Sequence, residues 1–165
     1  EPWDVSCADV PADADLVIVG NPTNPTSVLH AREAIESLRR PGRIVVVDEA
    51  FADVTLAVRG GAEIDEPESL VETAYPDVIV IRSITKTFAL AGLRAGYLCA
   101  ASDVIARLIA GRPHWPVGTL QLTALQAALS EQGRAHAREQ AGWVSRSRAA
   151  NACDVSRSGS GAAVS

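Results

Sequence analysis

Val78-Ile79-Val80-Ile81-Arg82-Ser83-Ile84-Thr85-Lys86-Thr87-Phe88-Ala89-Leu90-Ala91-Gly92-Leu93-Arg94 joins an unbroken β-branched run to a turn rich in chemistry. Val78 to Ile81 has the composition of a strand covered on both faces. Directly after it come the hydroxyls of Ser83 and Thr85 and the amine of Lys86. Arg94 follows eight residues after Lys86, just before a further apolar run, Gly96 to Ala100. A lysine that leaves a buried strand and sits among hydroxyls is poorly explained as a solvated charge. Desolvation and neighbouring cations make an amine nucleophilic and suited to forming an imine. Hydroxyls together with a guanidinium, which pairs with phosphate oxygens two at a time, form a phosphate cup.

Two more runs of the same kind lie upstream. Leu16 to Val19 ends at Gly20-Asn21-Pro22, and Ile44 to Val47 ends at Asp48-Glu49. Between them, Ala31, Ala34, Ile35 and Leu38 recur at helical spacing within His30 to Arg40, with Pro41-Gly42 as the stop. Pro67 to Thr73 reads as a short helix, a helix starts near Ser102 or Asp103, and Leu120 to Gln132 is helical by composition. Buried strands joined by helices or long connections predict an α/β chain: three layers, a mostly parallel sheet and helices on both faces. Ligands of such sheets sit outside the carboxyl ends of the strands. The polar clusters Asn21 to Thr26, Asp48-Glu49 and Ser83 to Lys86 all fall at those ends, which predicts one composite site. An imine-forming amine beside a phosphate cup points to pyridoxal 5′-phosphate.

The chain has 165 residues, is 47% hydrophobic and carries a net charge of −5. That is enough for one compact core. The acidic balance argues against a nucleic-acid partner, which would need a basic face. No apolar run approaches the ~20 residues of a membrane span. Cys7, Cys99 and Cys153 have no ligand spacing; Cys99 sits in an apolar run and is expected to be a reduced core residue, in keeping with a cytoplasmic location. The first residue is Glu, so the numbering is expected to begin inside a longer polypeptide. Residues 1–141 are expected to form the folded part. Residues 142–165, rich in Ser, Arg, Gly and Ala, lack apolar periodicity and read as a disordered or non-native tail.

Three motifs in order resemble the fold-type I pyridoxal-phosphate enzymes, specifically the class I/II aminotransferases, over about Leu16 to Leu129. They are Asn21-Pro22-Thr23-Asn24-Pro25-Thr26, Asp48-Glu49-Ala50-Phe51, and Arg82-Ser83-Ile84-Thr85-Lys86 with Gly92-Leu93-Arg94-Ala95-Gly96-Tyr97 after it. The resemblance implies that Lys86 is the Schiff-base lysine and proton shuttle. It implies that Asp48 pairs with the pyridinium nitrogen and so keeps the ring an electron sink. Asn24 would donate to the ring's 3′-oxygen, and Ser83, Thr85 and Arg94 would hold the phosphate. It also implies a small-molecule amino substrate and a homodimer.

The pattern is departed from in places. Ser27 stands where the family commonly has glycine. Phe51 stands where many members have a tyrosine, and it cannot donate a hydrogen bond. Phenylalanine here, with Arg-Ser-Ile-Thr-Lys, is similar to the threonine-phosphate decarboxylases of cobalamin biosynthesis, a branch close to the histidinol-phosphate aminotransferases. The front phosphate turn and the rear substrate-clamping arginine of the family have no counterpart. The chain therefore reads as the central part of a large domain, expected to bind cofactor weakly and turn over little or nothing by itself. An aminotransferase, a decarboxylase and a non-catalytic remnant all stay open. A doubly wound nucleotide-binding domain would need a glycine-rich turn after its first strand, and none is present. Glu49 reads as a local cap or ion-pair partner. His30, His114 and His136 read as surface or capping residues, and Trp115 as a site-lining or packing residue.

Overall fold

A computed structural model describes residues 10–73 and 75–159, with side-chain surroundings described through residue 150. The strands are β1 (Leu16–Gly20), β2 (Ile44–Asp48), β3 (Leu56–Arg59), β4 (Ala62–Asp65), β5 (Val78–Ser83) and β6 (Gly96–Cys99). The helices are α1 (Arg32–Glu36), α2 (Ser102–Ala110), α3 (Thr119–Leu129) and α4 (Glu131–Gly159). The main sheet has the order β1-β2-β5-β6, and β3 pairs with β4 alone. β1–β2 and β2–β5 are parallel, whereas β5–β6 is antiparallel. The α/β class and the mostly parallel sheet are as the sequence predicts.

Strand side chains alternate between faces. Val19, Val45, Val47, Val78 and Val80 fall on one face and pack with Ile35, Leu38 and Leu70 into the principal core. Ile35, Leu38, Val45 and Val47 are fully buried there. Cys99 is a half-buried free thiol against the same core, as expected. A second cluster, Ile84, Ala95 and Ala128 with Phe88, Leu93 and Tyr97, joins the turn after β5 to α3. The opposite face of the sheet exposes Leu16, Ile18, Ile81 and Leu98. Among the described residues no helix is long and apolar enough to cross a membrane.

Several elements differ from expectation for visible reasons. α1 covers only Arg32–Glu36 of the predicted His30 to Arg40. Leu38 N and Arg39 N then bond three residues back, to Ile35 O and Glu36 O, so the helix tightens into turns before Pro41. Pro67 to Thr73 forms turns and no helix, because the Glu49 carboxylate captures Ser69 Oγ and Leu70 N. The hairpin β3–β4 was not anticipated; Gly60 and Gly61, both at positive φ, make its two-residue turn. Leu120 to Gln132 is divided at Ser130, whose Oγ accepts from Gly133 N at 3.1 Å and caps α4.

Part of the segment expected to be a disordered or non-native tail, residues 142–165, is helical among the described residues. α4 continues to Gly159, and residues 160–165 lie outside the described residues. Between Gly142 and Gly159 there is no Pro or further Gly, and Ala and Arg are strong helix formers. The inward stripe is made of small residues, with Gly133 and Ala141 buried and Ala137 and Val144 half-buried. Large apolar periodicity was therefore the wrong signal to look for.

Gly96 marks a close approach. A Cβ there would lie 2.5 Å from the Arg82 carbonyl oxygen across the β5–β6 ladder. Gly96→Ala is expected to push the strands apart and lower stability by about 1–3 kcal/mol. Urea unfolding reads this as a lower midpoint with an unchanged slope.

Candidate functional site

The parallel register sets Gly20 beside Asp48, and Asp48 beside Ile81. The Asn21 loop, Asp48 and the Ser83–Lys86 turn therefore leave the same edge of the sheet. This is the composite edge the sequence predicts.

The first segment is held at its base by Asn21, which is buried. Its backbone N donates to Asp48 O at 2.9 Å. Its side chain accepts from His30 N at 2.9 Å and donates to His30 O at 3.3 Å. His30 is thus buried, which removes the surface alternative of the surface-or-capping expectation. Within the loop, Thr23 Oγ1 accepts from Val28 N at 3.0 Å and contacts the Thr26 hydroxyl. The bonds Thr23 N to Val28 O and Ser27 N to Thr23 O close the turn. Ser27 has φ 57°, the left-handed region. That conformation is why glycine suits the position. Asn24 sits exposed in this loop.

Asp48 ends β2 exposed, and its Oδ1 accepts from Ala50 N at 3.1 Å. The other oxygen has no protein partner among the described residues. At the end of β5, Ser83 Oγ and Thr85 Oγ1 lie 2.8 Å apart, and Thr85 N donates to Ser83 Oγ at 3.2 Å. The turn is closed by Ala89 N to Lys86 O and Leu90 N to Thr85 O. Lys86 is exposed, contrary to the desolvation expected of it, with its ammonium 5.3 Å from the Phe51 ring centroid. Phe51 offers that cation a ring face in place of a hydroxyl. Arg94 is exposed, has φ 53°, and donates one guanidinium N–H to Ala91 O at 3.1 Å.

Of the six predicted site residues, only Ser83 and Thr85 are hydrogen-bonded to each other among the described residues. Lys86, Asp48, Asn24 and Arg94 make no ion pair or hydrogen bond with one another among the described residues. The residue types fit an aldehyde cofactor with a phosphate and a basic ring nitrogen. Among the described residues, an exposed amine, a carboxylate oxygen without a protein partner and a guanidinium with free donors stand at one sheet edge beside paired hydroxyls. Trp115 is 94% exposed, so it does not pack here.

Sequence reasoning missed what lies behind this edge. A cavity of about 520 Å³ opens on the other side of β5, lined by Asp53, Glu66, Arg82, Phe88 and Tyr97 among others, and it touches only Ser83 of the six. Arg82, which lines it, is buried and paired with the buried Glu49. Burial would lower the Arg82 pKa, but bonding to Glu66 and the charges of Glu66 and Glu49 hold it above the usual guanidinium value. Burial raises the Tyr97 phenol. Burial also raises Asp53, against the opposing pull of the Arg82 charge. Asp53 Oδ1 and Thr87 Oγ1 are both buried without a hydrogen-bond partner among the described residues.

A raised carboxyl binds its proton more tightly in the folded state than in the unfolded one. Stability from Asp53 is therefore present in acid and lost as pH rises from the ordinary value of 3.8 through the raised one. Asp53→Asn is expected to remove that loss. Its urea midpoint should exceed that of the parent chain increasingly as pH rises through this window, and equal midpoints at neutral pH would contradict the assignment.

This combination of sheet, lysine turn and carboxylate-bearing strand end defines an α/β chain of the pyridoxal-phosphate enzyme type. A family model for aminotransferase class I and II matches residues 7–154, and the chain belongs to that family. It is 58% identical over 136 residues to the protein named histidinol-phosphate aminotransferase Rv2231c of Mycobacterium tuberculosis, covering 82% of this chain and 35% of that one. The histidinol-phosphate aminotransferase of Clostridium acetobutylicum superposes with a TM-score of 0.73 at 26% identity, over 88% of this chain and 42% of that one. The histidinol-phosphate aminotransferase of Sinorhizobium meliloti, solved in complex with pyridoxal-5′-phosphate, gives 0.62 at 27% identity, over 82% and 36%. The chain spans about a third of the length of the curated relatives it matches.

Proposed function

We propose that this chain supplies the cofactor-binding edge of a pyridoxal 5′-phosphate-dependent aminotransferase that acts on an amino acid or amino-phosphate. The observation that carries the reading is Lys86 in the turn after β5, on the same sheet edge as Asp48, within a family-matched chain. When bound, the cofactor supplies an electrophilic carbonyl and an electron-withdrawing ring. Lys86 Nζ is the amine that holds it and moves the substrate proton. The Asp48 carboxylate keeps a proton on the ring nitrogen. Ser83, Thr85 and Arg94 take the phosphate oxygens, and the Asn24 amide donates to the ring oxygen. Among substrates, histidinol phosphate is favoured by the names of the relatives, and the whole enzyme is proposed to be a homodimer.

The test is an absorbance titration with pyridoxal phosphate, followed by histidinol phosphate and threonine phosphate as separate donors with product analysis. A keto product with pyridoxamine phosphate upholds the reading. Release of CO₂ from threonine phosphate would replace it with a decarboxylase. Folded protein with no cofactor uptake would overturn it for this chain.

A further inference from the structure

We propose that Arg82 is a positioning residue for the candidate site, acting through the two strand ends that present Asp48 and the Ser83–Lys86 turn; this rests on the cofactor reading above. Asp48 and Glu49 are consecutive, as are Arg82 and Ser83. Because side chains alternate, the members of each pair fall on opposite faces of the sheet, Asp48 and Ser83 on the face of Ile81 and Glu49 and Arg82 on the buried face of Val47 and Val80. On that buried face Glu49 and Arg82 are tied together. Arg82 Nη1 donates to Glu49 Oε2 at 2.9 Å. Arg82 Nη1 and Nη2 donate to Glu66 Oε2 and Oε1, each at 2.7 Å. Glu49 also accepts from Ser69 Oγ at 2.6 Å and Leu70 N at 2.7 Å. Its backbone N donates to Ile81 O at 2.9 Å, so the clamp sits where the β2–β5 ladder ends.

Side-chain exposure is 8% for Arg82 and 0% for Glu49. Buried charges of this kind are a poor source of net stability, since well-packed apolar residues of similar volume serve as well. What apolar residues lack is direction. A planar fork meets two carboxylates in one arrangement. The valines and isoleucines of β2 and β5 carry no such register information. A one-residue slip would turn Asp48 and Ser83 to the wrong face. Arg82 and Glu49 forbid that slip at the point where the site residues leave the sheet.

The test compares Arg82→Lys and Glu66→Gln with Ile35→Val, a core change on α1. Amide hydrogen exchange is read without cofactor, and pyridoxal phosphate affinity by absorbance, at a temperature where all variants are folded. Arg82→Lys and Glu66→Gln are expected to speed exchange at Glu49 and at Ser83 to Thr85, and to weaken cofactor binding on the order of tenfold. Ile35→Val is expected to speed exchange across the core and leave affinity nearly unchanged. If Arg82→Lys does not fold, Glu66→Gln carries the test, since Glu66 lies at the outer edge of the network with 26% side-chain exposure. Affinity losses no larger than that of Ile35→Val would overturn the proposal. If the parent chain takes up no cofactor, the cofactor reading fails on its own. Exchange then decides: a local rise at the two strand ends supports the clamp, and a uniform rise refutes it.

Discussion

Lys86→Ala is expected to leave a folded chain that takes up no borohydride-stable cofactor and supports no transamination. The fold should survive because Lys86 is exposed and accepts no structural load from its side chain. Its ammonium lies 5.3 Å from the Phe51 ring centroid, and the turn around it is closed by backbone bonds that alanine retains. The chemistry should not survive, because the described turn contains no second amine. Proton transfer by a positioned group is worth on the order of 10²–10⁴ in rate, and loss of the attachment point adds to that. Lys86→Arg keeps the charge but presents a guanidinium that stays protonated, so it should fail in the same way. Circular dichroism with the melting temperature checks the fold. Borohydride labelling checks the chemistry. A labelled Lys86→Ala chain would contradict the assignment.

The second large effect is on stability. Glu49→Ala should cost about 3–5 kcal/mol, because it strands a buried cation. It removes acceptors from Arg82 Nη1, Ser69 Oγ and Leu70 N together. Glu66 still pairs with Arg82, which places the expected loss toward the lower end of that range. The contrast is Arg59→Ala, whose pair with Glu68 is 63% exposed on the arginine side. That change should cost no more than about 1 kcal/mol. Urea unfolding of the two variants side by side measures the difference. Similar small losses would mean that water replaces the Glu49 carboxylate.

The parts of this molecule legible from sequence were those written in large apolar runs. Leu16 to Val19, Ile44 to Val47 and Val78 to Ile81 each became a strand, because β-branched runs of that length have little else to form. The polar residues at their ends were legible for the same reason: once the strands are parallel, their carboxyl ends share an edge. Contacts between residues distant in sequence were not legible. Glu49 meets Ser69 and Arg82 only through tertiary folding, so its role read as a local cap. His30 looked like a surface residue until Asn21 closed the loop over it. Lys86 was expected to be desolvated by the strand it leaves, but the turn carries it outward. α4 was missed beyond Gly142 because residues 143–150 are exposed or half-buried, so no apolar periodicity marks the helix there.

The most direct test of the central claim is borohydride reduction of the chain in the presence of pyridoxal phosphate, followed by peptide mapping. The account predicts a single cofactor label on the peptide that contains Lys86. Lys86 is the sole lysine of the chain, so a label on the amino terminus in its place, or none on a chain shown to be folded, would contradict it.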